Sequence, residues 1–125
     1  MDKVRQIVFH KGYFLEFFNE QPEKVKSKIE QVLFLVSVAD RIPQKFLKHI
    51  EATRGLYEIR IEFGGNIYRI FCCFDEGKLV VLFIGFQKKS QKTPPKEIAK
   101  AVRIMEEYFG QKNKAKEHGN KRKKG

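Results

Sequence analysis

A chain of 125 residues is long enough for one hydrophobic core and too short for two. With 42% hydrophobic residues and twelve phenylalanines, its composition is that of a folded domain and excludes a disordered chain. The formal charge of +11 points to a polyanionic partner: nucleic acid, an anionic membrane surface or an acidic protein. Residues 111–125 hold seven basic side chains and one acid, so +6 of that charge is a C-terminal feature and +5 belongs to residues 1–110. The longest apolar runs, 32–39 and 79–86, are too short to cross a bilayer, and the charged N-terminus lacks a secretory pattern. The expected compartment is the cytoplasm, with no membrane partner.

In chain order, residues 4–10 read as a first strand with Ile7, Val8 and Phe9 apolar. Tyr13, Phe14, Phe17 and Phe18 follow in an aromatic-rich segment that suits either a helical turn or an extension of the sheet edge. Pro22 fits a first helical position and Glu23 favours the positive end of a helix dipole. Val25, Ile29, Val32, Leu33 and Val36 then recur at helical spacing, which predicts an amphipathic helix over 22–39. Ile42-Pro43 closes it. Residues 43–50, with Phe46, Leu47 and Ile50 inward, predict a short second helix, and the two helices form a hairpin across one face of a sheet.

Residues 56–63 alternate apolar and charged at period two, the pattern of a half-buried strand. Gly64-Gly65 supplies the positive φ of a two-residue turn, so residues 66–74 return antiparallel. This fixes a register: Phe63 opposite Asn66, Ile61 opposite Tyr68, Ile59 opposite Ile70 and Tyr57 opposite Cys72, all on one apolar side. The other side then carries Arg60 directly opposite Arg69. Like charges across a strand pair destabilise a sheet and need a reason. After the turn Asp75-Glu76-Gly77-Lys78, residues 79–86 form a third strand. Pairing Phe74 with Leu79 sets Ile84 opposite Arg69 and brings Phe86 and Lys88 to the arginine side, with Lys89 and Lys92 just beyond.

Cys72 and Cys73 are adjacent in a strand, point to opposite faces and cannot join, which makes them buried thiols. Thr93 can cap a last helix with Pro94 at its first position; Ile98, Val102, Met105 and Phe109 form its apolar stripe, and Gly110 ends it. Residues 111–125 have no large apolar side chain and read as a disordered basic tail. The expected fold class is α+β. One domain spans residues 1–110, a small antiparallel sheet packed by an N-terminal helical hairpin, with a C-terminal helix.

The chemistry available is narrow. His10, His49 and His118 are scattered without metal-ligand spacing, and no phosphate-cradling glycine loop or serine elbow occurs, so neither a metal nor a small-molecule cofactor is expected. An enzyme built on arginine and lysine remains. Attack of an RNA 2′-hydroxyl on its neighbouring phosphate suits such a site, because negative charge gathers on oxygens that fixed cations stabilise. Arg60 and Arg69 have the planar forks for a phosphate clamp. Lys88, with Lys89 second, is the candidate base, since crowding by cations lowers a lysine pKa. Glu58 and Glu62 flank Arg60 and either neutralise the arginines or position them. Tyr57 is a core residue or a base-stacking platform.

The runs Gly55-Leu56-Tyr57-Glu58-Ile59-Arg60, Asn66-Ile67-Tyr68-Arg69-Ile70-Phe71 and Gly85-Phe86-Gln87-Lys88-Lys89-Ser90-Gln91-Lys92-Thr93-Pro94 resemble the RelE/ParE superfamily of toxins, and within it the HigB-like branch that includes phage-derived relatives. The resemblance covers roughly residues 4–109. It implies a RelE-like toxin of a type II toxin-antitoxin system that cleaves messenger RNA on the ribosome without a metal. Its partner is a cognate antitoxin, often a helix-turn-helix protein. Arg60, Arg69, Lys88 and Lys89 are its expected catalytic residues, and Lys92, Gln91 and Tyr57 its expected RNA contacts. The alternatives are a ParE-like toxin that inhibits gyrase and a non-catalytic basic RNA-binding protein.

Overall fold

The computed structural model describes residues 2–89 and 92–124, with side chains as far as residue 116. In chain order the elements are β1 (Gln6–Phe9), α1 (Tyr13–Asn19), α2 (Glu23–Val38), β2 (Leu47–His49), β3 (Tyr57–Phe63), β4 (Asn66–Asp75), β5 (Leu79–Lys88) and α3 (Pro95–Lys124). The strands form one sheet in the order β1-β5-β4-β3-β2. From β2 to β5 the chain meanders antiparallel, and its return brings β5 beside β1, which it meets in parallel.

Strand alternation sends two sets of side chains to two faces. Ile59, Ile61, Tyr68, Ile70, Cys72, Val80 and Leu82 pack against α1 and α2, whose Phe14, Phe17, Val25, Ile29, Val32 and Val36 complete that layer. Phe71, Cys73, Val81 and Phe83 pack on the opposite side against Ala101, Ile104 and Met105 of α3, with Ile50 and Leu56. The fold is the expected α+β class with helices on both faces. Cys72 and Cys73 lie back to back in the two layers as free, buried thiols. Burial pushes both thiol pKa values up, that of Cys73 to about 12.

Three local expectations are corrected. Residues 43–50 are not a helix: after a turn, Leu47–His49 pairs with β3, and the Arg60 amide donates to the Phe46 carbonyl at 2.8 Å. Phe46 and Leu47 face the α2 layer whereas Ile50 faces the α3 layer, a split that an extended chain allows and one helix face does not. The N-terminal helical pair is therefore α1 with α2, and the aromatic segment is α1. Phe17 of α1 lies so close to β5 that a Cβ on Gly85 would meet its ring at 2.5 Å, which is why a residue without a side chain stands there.

The second correction is the β4–β5 register. Pairing begins one residue earlier than expected, Asp75 with Leu79, across a tight turn with positive φ at Glu76 and Gly77. A bulge then sets Phe71 against the two residues Phe83 and Ile84, so that Arg69 faces Phe86 and not Ile84. Third, α3 does not stop at Gly110 but runs to Lys124, and residues 111–124 continue it as helix. A glycine inside a helix costs about 1 kcal/mol relative to alanine. Two residues onward, Lys112 offsets it by reaching Asp75 at 2.7 Å and Glu76 at 3.1 Å, while Tyr108 donates to the same Asp75 oxygen at 2.7 Å.

Candidate active site

α3 packs over Phe71, Cys73, Val81 and Phe83, and toward the Gly64-Gly65 turn the same face carries charge. The β3–β4 register is the one the two-glycine turn dictates, with Arg60 opposite Arg69. Three cross-strand rows result. Lys48, Glu58 and Phe71 form the first, Arg60, Arg69 and Phe86 the second, and Glu62, Ile67 and Lys88 the third.

Arg69 is 2% exposed and Lys88 8%, an unusual depth for two cations. Phe86 stacks on Phe71 at 5.5 Å and walls the second row. Among the described residues, one carboxylate lies within ion-pair range of both arginines. Glu58, itself buried, places Oε1 at 3.6 Å from Nε of Arg69 and 3.8 Å from Nε of Arg60. Those separations are ion pairs but not hydrogen bonds. Both Nε atoms are buried without a hydrogen-bond partner, while Nη1 of Arg69 donates to the Tyr68 carbonyl at 3.0 Å. The second carboxylate oxygen, Oε2, accepts from the Thr93 hydroxyl at 2.9 Å. Glu58 thus joins β3, β4 and the segment that leads into α3.

Burial is the main cause that lowers the Lys88 pKa from its ordinary value; Arg69 adds to it, Glu58 opposes it, and Arg60 and Lys48 add further. Burial likewise lowers the Arg69 pKa, with Glu58 opposing and Arg60 reinforcing. The guanidinium stays charged over any working pH. The arrangement therefore holds two fixed positive forks, two unsatisfied N–H donors and an amine biased toward its neutral form.

Of the residues expected from sequence, Arg60, Arg69 and Lys88 come together. Lys89 is exposed one residue beyond β5, and Lys92 is exposed on the approach to Thr93. Gln91 lies outside the described residues. Tyr57 is on the other face, edge-on to Phe74 at 5.0 Å and to His49 at 5.1 Å, so it is separated from the arginines by the sheet. Sequence reasoning missed Thr93 and Lys48. Thr93 reads as a helix cap, yet α3 begins at Pro95 and its hydroxyl serves Glu58. Lys48 is hidden by the helical reading of 43–50; as a strand residue opposite Glu58 it falls on the charged face by parity.

A family model described as Phage derived protein Gp49-like (DUF891) matches residues 16–106, well over half of the chain. The chain belongs to the Gp49-like family. No curated protein matches it. Among solved structures, the archaeal RelE-RelB complex from Pyrococcus horikoshii OT3 contains a chain 14% identical, with 71% of this protein and 99% of that chain covered at a TM-score of 0.53. The RelB-RelE antitoxin-toxin complex from Methanococcus jannaschii contains a chain 17% identical, with 64% of this protein and 88% of that chain covered at a TM-score of 0.46. The match to the Pyrococcus horikoshii chain shows that the Gp49-like protein has the RelE-like fold its sequence resembles.

Proposed function

We propose that this Gp49-like protein is the toxin of a type II toxin-antitoxin system and cleaves messenger RNA on the ribosome, in the cytoplasm and without a metal. The observation that carries the reading is the convergence of Arg60 and Arg69 on one buried carboxylate, with buried Lys88 in the adjoining row and two Nε–H donors left unsatisfied. A phosphodiester supplies the missing acceptors. It also supplies the negative charge that offsets burying like charges across a strand pair.

In the proposed reaction neutral Lys88 takes the proton of the RNA 2′-hydroxyl. The 2′-oxygen attacks the adjacent phosphorus, and the bond to the 5′-oxygen of the next nucleotide breaks. A 2′,3′-cyclic phosphate and a 5′-hydroxyl result, the latter completed by a proton from solvent. Arg60 and Arg69 stabilise the charge that accumulates on the phosphate oxygens, an effect for which one donor is typically worth about a hundredfold or more in rate. Lys89 and Lys92 extend the basic path for the RNA strand. An antitoxin, expected to be a helix-turn-helix protein, silences the toxin.

Primer-extension mapping of cellular transcripts after brief induction tests the reading, with the wild-type chain compared at matched level with Lys88→Met. Lysine to methionine keeps the apolar stem and removes the amine, so the fold is retained. Codon-phased cuts that disappear in the variant are expected. Growth arrest with intact transcripts sinks the nuclease and favours gyrase inhibition; neither arrest nor cuts leaves a basic RNA-binding protein.

A further inference from the structure

Where β2 gives out, the sheet has a notch. Strand pairing with β3 ends at Leu47 opposite Ile59, and the Arg60 amide adds one further bond to the Phe46 carbonyl. Among the described residues, 61–63 of β3 have no strand on that side. The chain ahead of β2 turns here, the Phe46 and Leu47 amides both donating to the Pro43 carbonyl. A cavity of about 170 Å³ results, lined by Lys28 from α2, by Lys45 and Phe46 from the turn, and by Arg60 and Glu62 from β3.

Three of its five lining residues are cations brought together from distant parts of the chain, against one acid. Among the described residues, neither Lys28 nor Lys45 makes an ion pair. Lys45 rests over the Phe46 ring at 5.5 Å, and Glu62 is exposed and joins neither lysine. Arg60 belongs both to the notch and to the charged rows. Its side chain is 31% exposed against 2% for Arg69, and its Nε has no hydrogen-bond partner. A cleft with an excess of unpaired positive charge concentrates anions.

Size and position indicate which anion. The cavity is smaller than the roughly 300–1,000 Å³ of sites for drug-sized ligands, which suits a single phosphate group. It adjoins the clamp through a shared residue, so a strand whose phosphate lies on Arg60 and Arg69 carries its neighbouring phosphate to the notch. We infer that the notch holds a second phosphate of the bound RNA strand, with Lys28 and Lys45 as its ligands. The inference rests on RNA as the ligand of the charged face and deepens that reading by giving the strand a course, from Lys88 over Arg69 and Arg60 to the open edge of β3. Lysine meets phosphate as a point charge, so the subsite fixes the position of the backbone and reads no base.

The test measures binding of a 2′-O-methyl RNA hexanucleotide, which lacks the attacking hydroxyl, to the full chain at several salt concentrations. Lys28→Met combined with Lys45→Met, both outside the hydrophobic core, should weaken binding and lower the slope of log affinity against log salt by about 0.7, the share of one phosphate contact. Lys3→Met combined with Lys24→Met removes the same charge at exposed positions outside the notch and should leave the slope unchanged. In cleavage of ribosome-bound messenger RNA, the Lys28 and Lys45 pair should raise KM and spare kcat, the mark of a contact made equally in ground and transition states. Binding that ignores this pair overturns the inference. So does an equal loss in the control pair, which reduces the effect to overall charge. Inorganic phosphate that shifts the Lys28 and Lys45 resonances, with RNA affinity indifferent to their substitution, overturns it in favour of a free-anion site. Lysine-dependent binding by a chain that leaves transcripts intact supports the subsite and removes the nuclease.

Discussion

Glu58 places a buried negative charge among Arg60, Arg69, Lys48 and Lys88, and its removal shifts the amine. Because the carboxylate favours the charged form of Lys88, Glu58→Gln should lower the Lys88 pKa further. With Lys88 as the base, cleavage of ribosome-bound messenger RNA rises with pH, with a midpoint below the ordinary 10.5, and Glu58→Gln moves that midpoint down. A profile unchanged by the substitution removes Lys88 from the role. Lys88 itself costs stability. A lysine whose folded pKa is depressed binds fewer protons folded than unfolded, so its penalty is full below the folded pKa and fades as pH rises from there toward 10.5. Lys88→Met should therefore raise the thermal midpoint at pH 7 while slowing cleavage about a hundredfold or more. Calorimetry beside a cleavage assay checks both. The Arg60–Arg69 pair was legible in the sequence because two glycines allow one turn length and one register. The hub was not, since the sequence shows Glu58 and Glu62 with equal standing and only tertiary packing buries Glu58 and leaves Glu62 exposed.

At the scale of the elements, α1 is fastened to β5 through the space that Gly85 leaves. Gly85→Ala forces the Phe17 ring to move within a filled layer, which should cost about 1–3 kcal/mol, the range for overpacking. Phe17→Leu in the same chain should recover part of it in denaturant melts. At the other face, Tyr108 and Lys112 bind α3 to Asp75. Burial, then the hydrogen bond to Asp75, raises the Tyr108 pKa to about 12 from 10.0. The folded pKa is the higher one, so this contribution is complete below pH 10 and is lost as pH rises to about 12. Ultraviolet titration should show one of the tyrosines ionising near 12, and Asp75→Asn should bring it down. The sequence showed the stripe of α3 but not its length, because Gly110 is a common stop signal and the anchoring carboxylate is 35 residues away in β4, beyond any local pattern. The bulge in β4–β5 is hidden for a similar reason: nothing local distinguishes Phe83-Ile84 from neighbouring apolar residues.

Over the whole molecule, +6 of the +11 lies in residues 111–125 and +5 in the rest, where Lys48, Arg60, Arg69 and Lys88 share one face of the sheet. RNA affinity should fall steeply with salt. Each phosphate contact on a single strand contributes about −0.7 to the slope of log affinity against log salt. Arg60→Ala should reduce the slope by about that amount, whereas Arg54→Ala, outside the three rows, should leave it unchanged. Equal slopes would place RNA binding elsewhere on the chain. The fold class and the central hairpin follow from periodicity and turns. The edges of the sheet do not, because β1 and β2 are four and three residues long and take their identity from the strands they join.

Those neighbouring cysteines in β4 give each layer its own reporter. Cys72 opens to solvent only when the α1–α2 side separates from the sheet, and Cys73 only when α3 lifts away. Labelling by a thiol reagent in Cys72→Ala and Cys73→Ala chains therefore times two events independently. Matching rates mean the domain opens as one cooperative unit; faster labelling of Cys73 means that α3 can leave, baring the flank of the charged face, while the rest of the protein stays folded.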